Sequence, residues 1–335
     1  MAPTTSAASR ALVDAVTTPA PKARLHIVTG KGGTGKTTAA AALALAIAGL
    51  GEKVLLVEVE SRQALAQLFD RPPMPYGEER LTGADNGGEL FGLAIDAEEA
   101  MLEYLELFYG LKRAGKGLKK LGAVDFVTTL APGLRDVLLT GKVKESVVRV
   151  GSDKQPVYDA VVLDAPPTGR IGRFLDATQE VAKLTKIGPI RSQSDGVINL
   201  LHGPRTAVHI VTLLEEMPVQ ETIDAAGELR RLGFTLGAVI VNRARPALLD
   251  PADLGPDGEV DLKALSASLR KAGLPVAQAP ALAAEMAQYA QRQRVQDENA
   301  TRLDELDMPR IELPDLNPPV ALGELKDLAA KFVTP

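Results

Sequence analysis

Gly30-Lys31-Gly32-Gly33-Thr34-Gly35-Lys36-Thr37-Thr38 is a phosphate-binding loop with a second lysine, Lys31, directly after its first glycine. Leu25-His26-Ile27-Val28-Thr29 before it is short, mostly apolar and β-branched. The run 39–50 after it is rich in alanine and leucine, so the loop joins a strand to a helix. Gly30, Gly32, Gly33 and Gly35 let the backbone come close to an anion, and successive N–H groups and the N-terminus of the next helix then point at phosphate oxygens. Lys36 is placed to neutralise β- and γ-phosphates and Thr37 to offer its hydroxyl to Mg²⁺, with Thr34 and Thr38 completing the nucleotide-binding loop.

Outward from the loop, the chain alternates buried strands with amphipathic helices. Strands are predicted at 25–29, 54–59, 90–95, 157–163, 207–213, 236–241 and 310–313, mostly as continuous apolar runs suited to a parallel sheet covered on both faces. Helices are predicted at 36–50, 135–149, 172–186, 220–232, 262–272, 281–304 and 322–332. The pattern is that of a doubly wound, mostly parallel α/β fold of the P-loop NTPase kind with an embedded helical subdomain. A helical insertion is expected at about 96–150 and a second helical segment at about 176–204, within a single ATPase domain spanning 23–335. Residues 1–22, rich in Ala, Thr, Ser and Pro, are expected to be a disordered leader. The stretches 71–88 and 245–258, where Pro, Gly and Asp cluster, look like linkers. In 96–121, Met101, Leu102, Leu105, Phe108 and Tyr109 share one helical face, which suits either a core-facing stripe or a client-binding surface.

Composition excludes several classes. With 335 residues, a net charge of −5 and a pI near 5.5, the chain lacks the overall basic character of a nucleic-acid-binding protein. It has no cysteine, so disulfides and thiolate metal sites are ruled out, and its three histidines are too scattered for a zinc site. His26 and His209 are expected to be packed strand residues. The longest apolar run, 39–48, is half what a bilayer span needs, which fits a cytoplasmic enzyme.

A second nucleotide signature lies at Val161-Val162-Leu163-Asp164-Ala165-Pro166-Pro167-Thr168-Gly169. An apolar strand that ends on a carboxylate puts Asp164 at the sheet edge where ligands bind, and the turn after it suits a loop that senses the γ-phosphate. Asp164 is expected to accept a hydrogen bond from a Mg²⁺-bound water or from Thr37.

Lys31 within Gly-Lys-Gly-Gly-x-Gly-Lys-Thr-Thr, together with Asp164 to Gly169 and the following Arg173-Phe174-Leu175, resembles the arsenical-pump and tail-anchored-protein-targeting ATPases, the ArsA-type family. The resemblance runs from about Leu25 to the C-terminus and is nearest to the cysteine-free actinobacterial members, in which non-identical subunits pair. Residues 212–229 resemble the segment before the family's adenine site. Ile240-Val241-Asn242-Arg243 resembles its adenine-contacting Val-Val-Asn-Gln, and Leu313-Pro314 its late adenine-loop proline. The resemblance implies a Mg-ATP-dependent dimer, either a homodimer or a heterodimer with a paralogous ATPase. In such a dimer Lys31 reaches the partner's nucleotide and hydrolysis drives a client, a protein or a membrane-associated body, through switch loops after Glu58 and Asp164. Peripheral attachment to a membrane through a partner is compatible with it.

Three departures from the family pattern carry weight. Where the family has Asp-Pro-Ala-His-Ser, with the aspartate orienting the attacking water, this chain has Glu60-Ser61-Arg62-Gln63-Ala64. Glu60 keeps the carboxylate but lengthens its arm by one methylene, so slow hydrolysis is expected, with Glu58 as the fallback candidate. The missing cysteines exclude arsenite activation and a zinc-clamped dimer. Only six methionines are present, which disfavours an adaptable groove for varied hydrophobic helices. Two other readings stay open: a catalytically weak nucleotide-binding scaffold that activates a paralogous partner, and a partitioning or positioning ATPase. The balanced charge of 322–328 weighs against the latter's basic membrane tail.

Overall fold

The computed structural model describes residues 23–60, 63–84, 86–109, 132–184, 189–249, 254–255, 259–316 and 320–333. The leader expected at 1–22 and the part of the helical insertion at 110–131 lie outside the described residues. Among them, eight strands form one sheet: β1 (Leu25–Gly30), β2 (Lys53–Glu58), β3 (Glu79–Gly83), β4 (Glu89–Ala94), β5 (Ala160–Asp164), β6 (Thr206–Thr212), β7 (Leu236–Ala244) and β8 (Arg310–Pro314). Their order is β3-β4-β2-β5-β1-β6-β7-β8. Every neighbouring pair is parallel except β3 with β4. β1 therefore lies at the point where the strand order reverses, the usual place for a ligand in an open α/β sheet.

The helices are α1 (Lys36–Ala48), α2 (Ala64–Leu68), α3 (Ala97–Tyr109), α4 (Pro132–Val148), α5 (Thr168–Leu184), α6 (Pro189–Leu201), α7 (Glu216–Arg231), α8 (Leu262–Lys271), α9 (Ala279–Asp304) and α10 (Leu322–Ala330). α1 is buried at every position from Ala39 to Ala48 because it is sandwiched between the sheet and α10, so it carries no polar stripe. Its alanines let the three layers approach closely, while Leu325, Leu328 and Phe332 seal the outer side, each contributing about 1.5–3 kcal/mol by burial. The opposite face of the sheet is covered by α4, α5, α6 and α7, with Met101 and Tyr104 of α3 packed against the same core. Among the described residues no helix is long and apolar enough to cross a membrane.

Two elements depart from the sequence-based expectation. β3 falls inside 71–88, expected to be a linker; it is a short edge strand in which only Leu81 is buried, so it shows no apolar alternation. α2 has five residues, too few to display a helical period. The strand expected from 157 begins only at Ala160. Val157 instead follows an isolated bridge between Val150 and Pro156.

Strand alternation determines which side chains reach the site. Val54 and Leu56 of β2 face α1, as do Ala160 and Val162 of β5, so Glu58 and Asp164 emerge on that side at the strands' C-terminal ends, paired in register. The same face carries His26 and His209, which are wholly buried, with Nδ1 of His26 3.1 Å from Nε2 of His209. Ala238 N donates to His209 Nδ1 at 3.0 Å, so the His209 proton sits on Nε2 and His26 accepts it. Gly237 makes room for the ring, because a Cβ there would lie 2.4 Å from it.

Burial holds His26 down to about 4 and His209 to about 3, the latter also lowered by His26. Their folded pKa values lie below the unfolded value near 6.5, so the unfolded chain binds more protons and stability falls as pH drops below about 6.5. Between pH 6.5 and 4 the pair is expected to cost the fold at least about 3 kcal/mol. Urea midpoints across that range measure it. His26→Gln, whose carbonyl can still accept from His209, should make the acid limb shallower, and an unchanged slope would assign the acid sensitivity elsewhere.

Candidate functional site

β1 delivers the glycine-rich loop to the sheet edge. Gly30 is wedged against β6, where a Cβ would lie 2.3 Å from the Val211 carbonyl oxygen. The loop is turned by Thr34, whose N–H and hydroxyl donate to the Lys31 carbonyl at 3.3 and 2.9 Å. Gly35 caps α1 with φ of +86° and no side-chain hydrogen bond, leaving the first amides of the helix for an anion. Asn242 continues the α1-facing row of Ala238 and Ile240 on β7. Its amide donates to Thr34 O at 2.8 Å, and a Cβ on Gly35 would lie 2.2 Å from that amide nitrogen. Asn242 thus braces the loop from beneath, while Arg243, at φ +53°, marks the break in β7–β8 register after it.

Opposite the loop, the Thr37 hydroxyl donates to Asp164 Oδ2 at 2.6 Å. Asp164 Oδ1 is buried and meets no protein donor. Burial pushes the carboxyl up to about 6, against the opposing pull of the Thr37 hydrogen bond and of Lys36, with Glu58 and Glu60 adding to the rise. A buried carboxylate oxygen without a donor, next to a threonine hydroxyl, fits a hard divalent cation such as Mg²⁺, held directly or through water. The loop after Asp164 is tied back to β1, because Ala165 N donates to Val28 O at 2.9 Å and Thr29 Oγ1 to Pro166 O at 2.7 Å.

Glu58, the fallback for orienting water, is 2 % exposed and accepts from Ala64 N and Leu65 N at 3.2 Å each. Its carboxylate thus satisfies the first amides of α2. Glu60 lines a cleft of about 220 Å³ together with Arg135 and Asp136 of α4 and with Pro166 and Arg170. Arg170 pairs with Asp136 at 3.5 Å, and burial raises the Asp136 carboxyl although Arg170 and Arg135 oppose it. Pro314 ends β8 in register with Ala244, two residues past Asn242.

Lys36, Thr37, Asp164 and Asn242 therefore gather around the loop, and Glu60, which acts on Asp164, lies between Pro166 and α4. Lys31 is directed to α7, its Nζ 2.6 Å from Glu221 Oε1. Sequence reasoning missed Glu221, Asp136, Arg170 and Thr29 because each acts through a partner distant in the chain. Thr29 closes the strand quoted before the glycine loop, and Arg170, in the first turn of α5, directly follows the Asp164–Gly169 stretch.

The model of the family described as Anion-transporting ATPase matches residues 23–203, more than half of the chain. The chain is 56 % identical over 310 residues to the ATPase BagA of Mycobacterium tuberculosis, covering 91 % of each protein. It is 30 % identical over 193 residues to the ATPase GET3 of Podospora anserina, covering 55 % of this chain and 52 % of that protein. With the ATPase ASNA1 homolog of Entamoeba dispar it shares 26 % identity over 262 residues, covering 65 % and 76 %.

Proposed function

Because the chain belongs to the anion-transporting ATPase family, we propose that it works as a dimeric switch that couples Mg-ATP hydrolysis to binding or release of a protein or membrane-associated client. Nucleotide binding and ATP hydrolysis come with the family. The observation that carries the reading further is the division of labour between two lysines of one loop. Lys36 acts on Asp164 inside the site, whereas the Lys31 ammonium lies outside it on α7. A lysine placed so is available to a nucleotide held by a second subunit, the same chain or a paralogous ATPase.

In this reading the amides of Gly30 to Thr38 and the Lys36 ammonium hold the β- and γ-phosphates, and Asn242 and Pro314 border the adenine. Mg²⁺, held by Thr37 and Asp164, neutralises phosphate charge when bound. Glu60 accepts a hydrogen bond from the attacking water. The water oxygen bonds to the γ-phosphorus as the bond to the β–γ bridging oxygen breaks, leaving ADP and phosphate. Lys31 of the other subunit stabilises the charge that develops. The Asp164 loop runs straight into α5, and Arg170 of α5 pairs with Asp136 of α4, so a change at the γ-phosphate reaches the helical layer.

Turnover per chain, measured with Mg-ATP over a range of protein concentrations, tests the proposal. It is expected to rise with concentration to a slow plateau, below about 1 s⁻¹. A rate per chain that is constant on dilution into the nanomolar range would remove the dimeric switch. Binding without hydrolysis, restored only by mixing with a paralogous ATPase, would leave a scaffold.

A further inference from the structure

We propose that Glu221 is a positioning residue for Lys31: an intramolecular latch that holds the lysine on its own subunit and restrains hydrolysis until two subunits close. The inference rests on the trans-acting reading of Lys31 given above. The ammonium lies 2.6 Å from Glu221 Oε1, and both side chains are about one third exposed, at 33 % and 35 %. At that separation the ammonium is engaged by a carboxylate of its own subunit.

Both partners sit on well-held backbone. Glu221 rides on α7, whose other face is pinned in the core by Val219, Thr222, Ala226 and Leu229, and whose neighbouring Gln220 is tied to Asp224 and to Arg302 of α9. The backbone of Lys31 is held as firmly, through the bonds from Thr34 to its carbonyl and the close seat of Gly30 on β6. With both backbones held, exchange falls to the side chains, and the lysine swings from one carboxylate to another anion within its reach. A partly exposed pair of this kind is weak enough to exchange for the charge that develops on a transferring phosphoryl group. One turn before Glu221, Met217 is 60 % exposed on the same side of α7. An apolar side chain in solvent beside the latch suits a surface that a second ATPase subunit covers as the lysine leaves.

Releasing the latch should therefore speed the enzyme. Glu221→Gln keeps size and polarity but removes the charge, and it is expected to raise turnover at sub-saturating protein about two- to fivefold, the range a surface ion pair spans. The protein concentration giving half-maximal turnover should fall by a similar factor, with KM for ATP unchanged. Glu221→Asp, which restores a carboxylate, should return both values toward those of the parent chain. In a Lys31→Ala background Glu221→Gln should have no effect, since there is nothing left to hold. Turnover of Glu221→Gln equal to or below the parent's, with Lys31→Ala still impaired, would overturn the latch alone. Full activity in Lys31→Ala would overturn the trans-acting reading and the latch with it.

Discussion

A Lys31→Ala chain is expected to bind Mg-ATP as the parent does while its turnover falls by about a thousandfold, in line with a charge supplied in trans to a transferring phosphoryl group. Ground-state binding falls to Lys36, the loop amides and the helix N-terminus, none of which the substitution touches. The braces on the loop, Thr34 to the Lys31 carbonyl and Asn242 to the Thr34 carbonyl, do not involve the Lys31 side chain either. An interaction made only as charge develops lowers kcat and kcat/KM together and leaves nucleotide affinity alone. Equilibrium titration with a fluorescent nucleotide alongside single-turnover hydrolysis separates the two. Equal losses in affinity and rate would place Lys31 on its own subunit's phosphates.

Asp164→Asn is expected to make the nucleotide-free protein more stable and much less active. The carboxylate is 7 % exposed with one oxygen unpaired, and its pKa in the fold is pushed up to about 6. Its folded pKa lies above the unfolded value, so the folded chain binds more protons. The resulting penalty is absent below about pH 4, grows as pH rises through 6, and is complete at neutral pH, where the shift corresponds to about 3 kcal/mol. Asparagine still accepts from Thr37, and after the cost of burying its own amide a gain of about 2 kcal/mol at pH 7 should remain, shrinking to nothing near pH 4. Turnover should drop about 10²- to 10³-fold, because the charge that complements Mg²⁺ has gone. Urea midpoints at pH 7 and pH 4, with hydrolysis rates beside them, check both halves. A variant that loses stability at neutral pH would mean that Asp164 serves the fold rather than the nucleotide. The sign is opposite to that of the His26–His209 pair, which loses stability toward acid, so the variant's acid limb should be steeper than the parent's.

The glycine loop, β1, α1 and the run into Asp164 were legible because each is a local pattern: a continuous apolar strand, a fixed glycine spacing, a carboxylate where the strand leaves the core. The expected α/β alternation matches the sheet for seven of its eight strands, with shifted ends, and fails at β3, whose exposed edge position gives Glu79 and Arg80 no reason to be apolar. Glu58 illustrates a different limit. Its place at the end of β2 was visible, yet whether its carboxylate meets water, a substrate or amides depended on α2 folding back onto it. Asn242 resembles an adenine contact in sequence, but its bond to the loop carbonyl joins residues 208 apart.

Sequence alone determined the chemistry of the phosphate loop, because the backbone freedom of glycine and the charges of Lys31 and Lys36 are properties of neighbours in the chain. Tertiary structure alone decided which way each charge is used: Lys36 toward Asp164, Lys31 toward Glu221, Glu58 into a helix N-terminus. Those pairings are set by strand order and register, which bring distant segments to one sheet edge, and no local pattern of residues encodes that order.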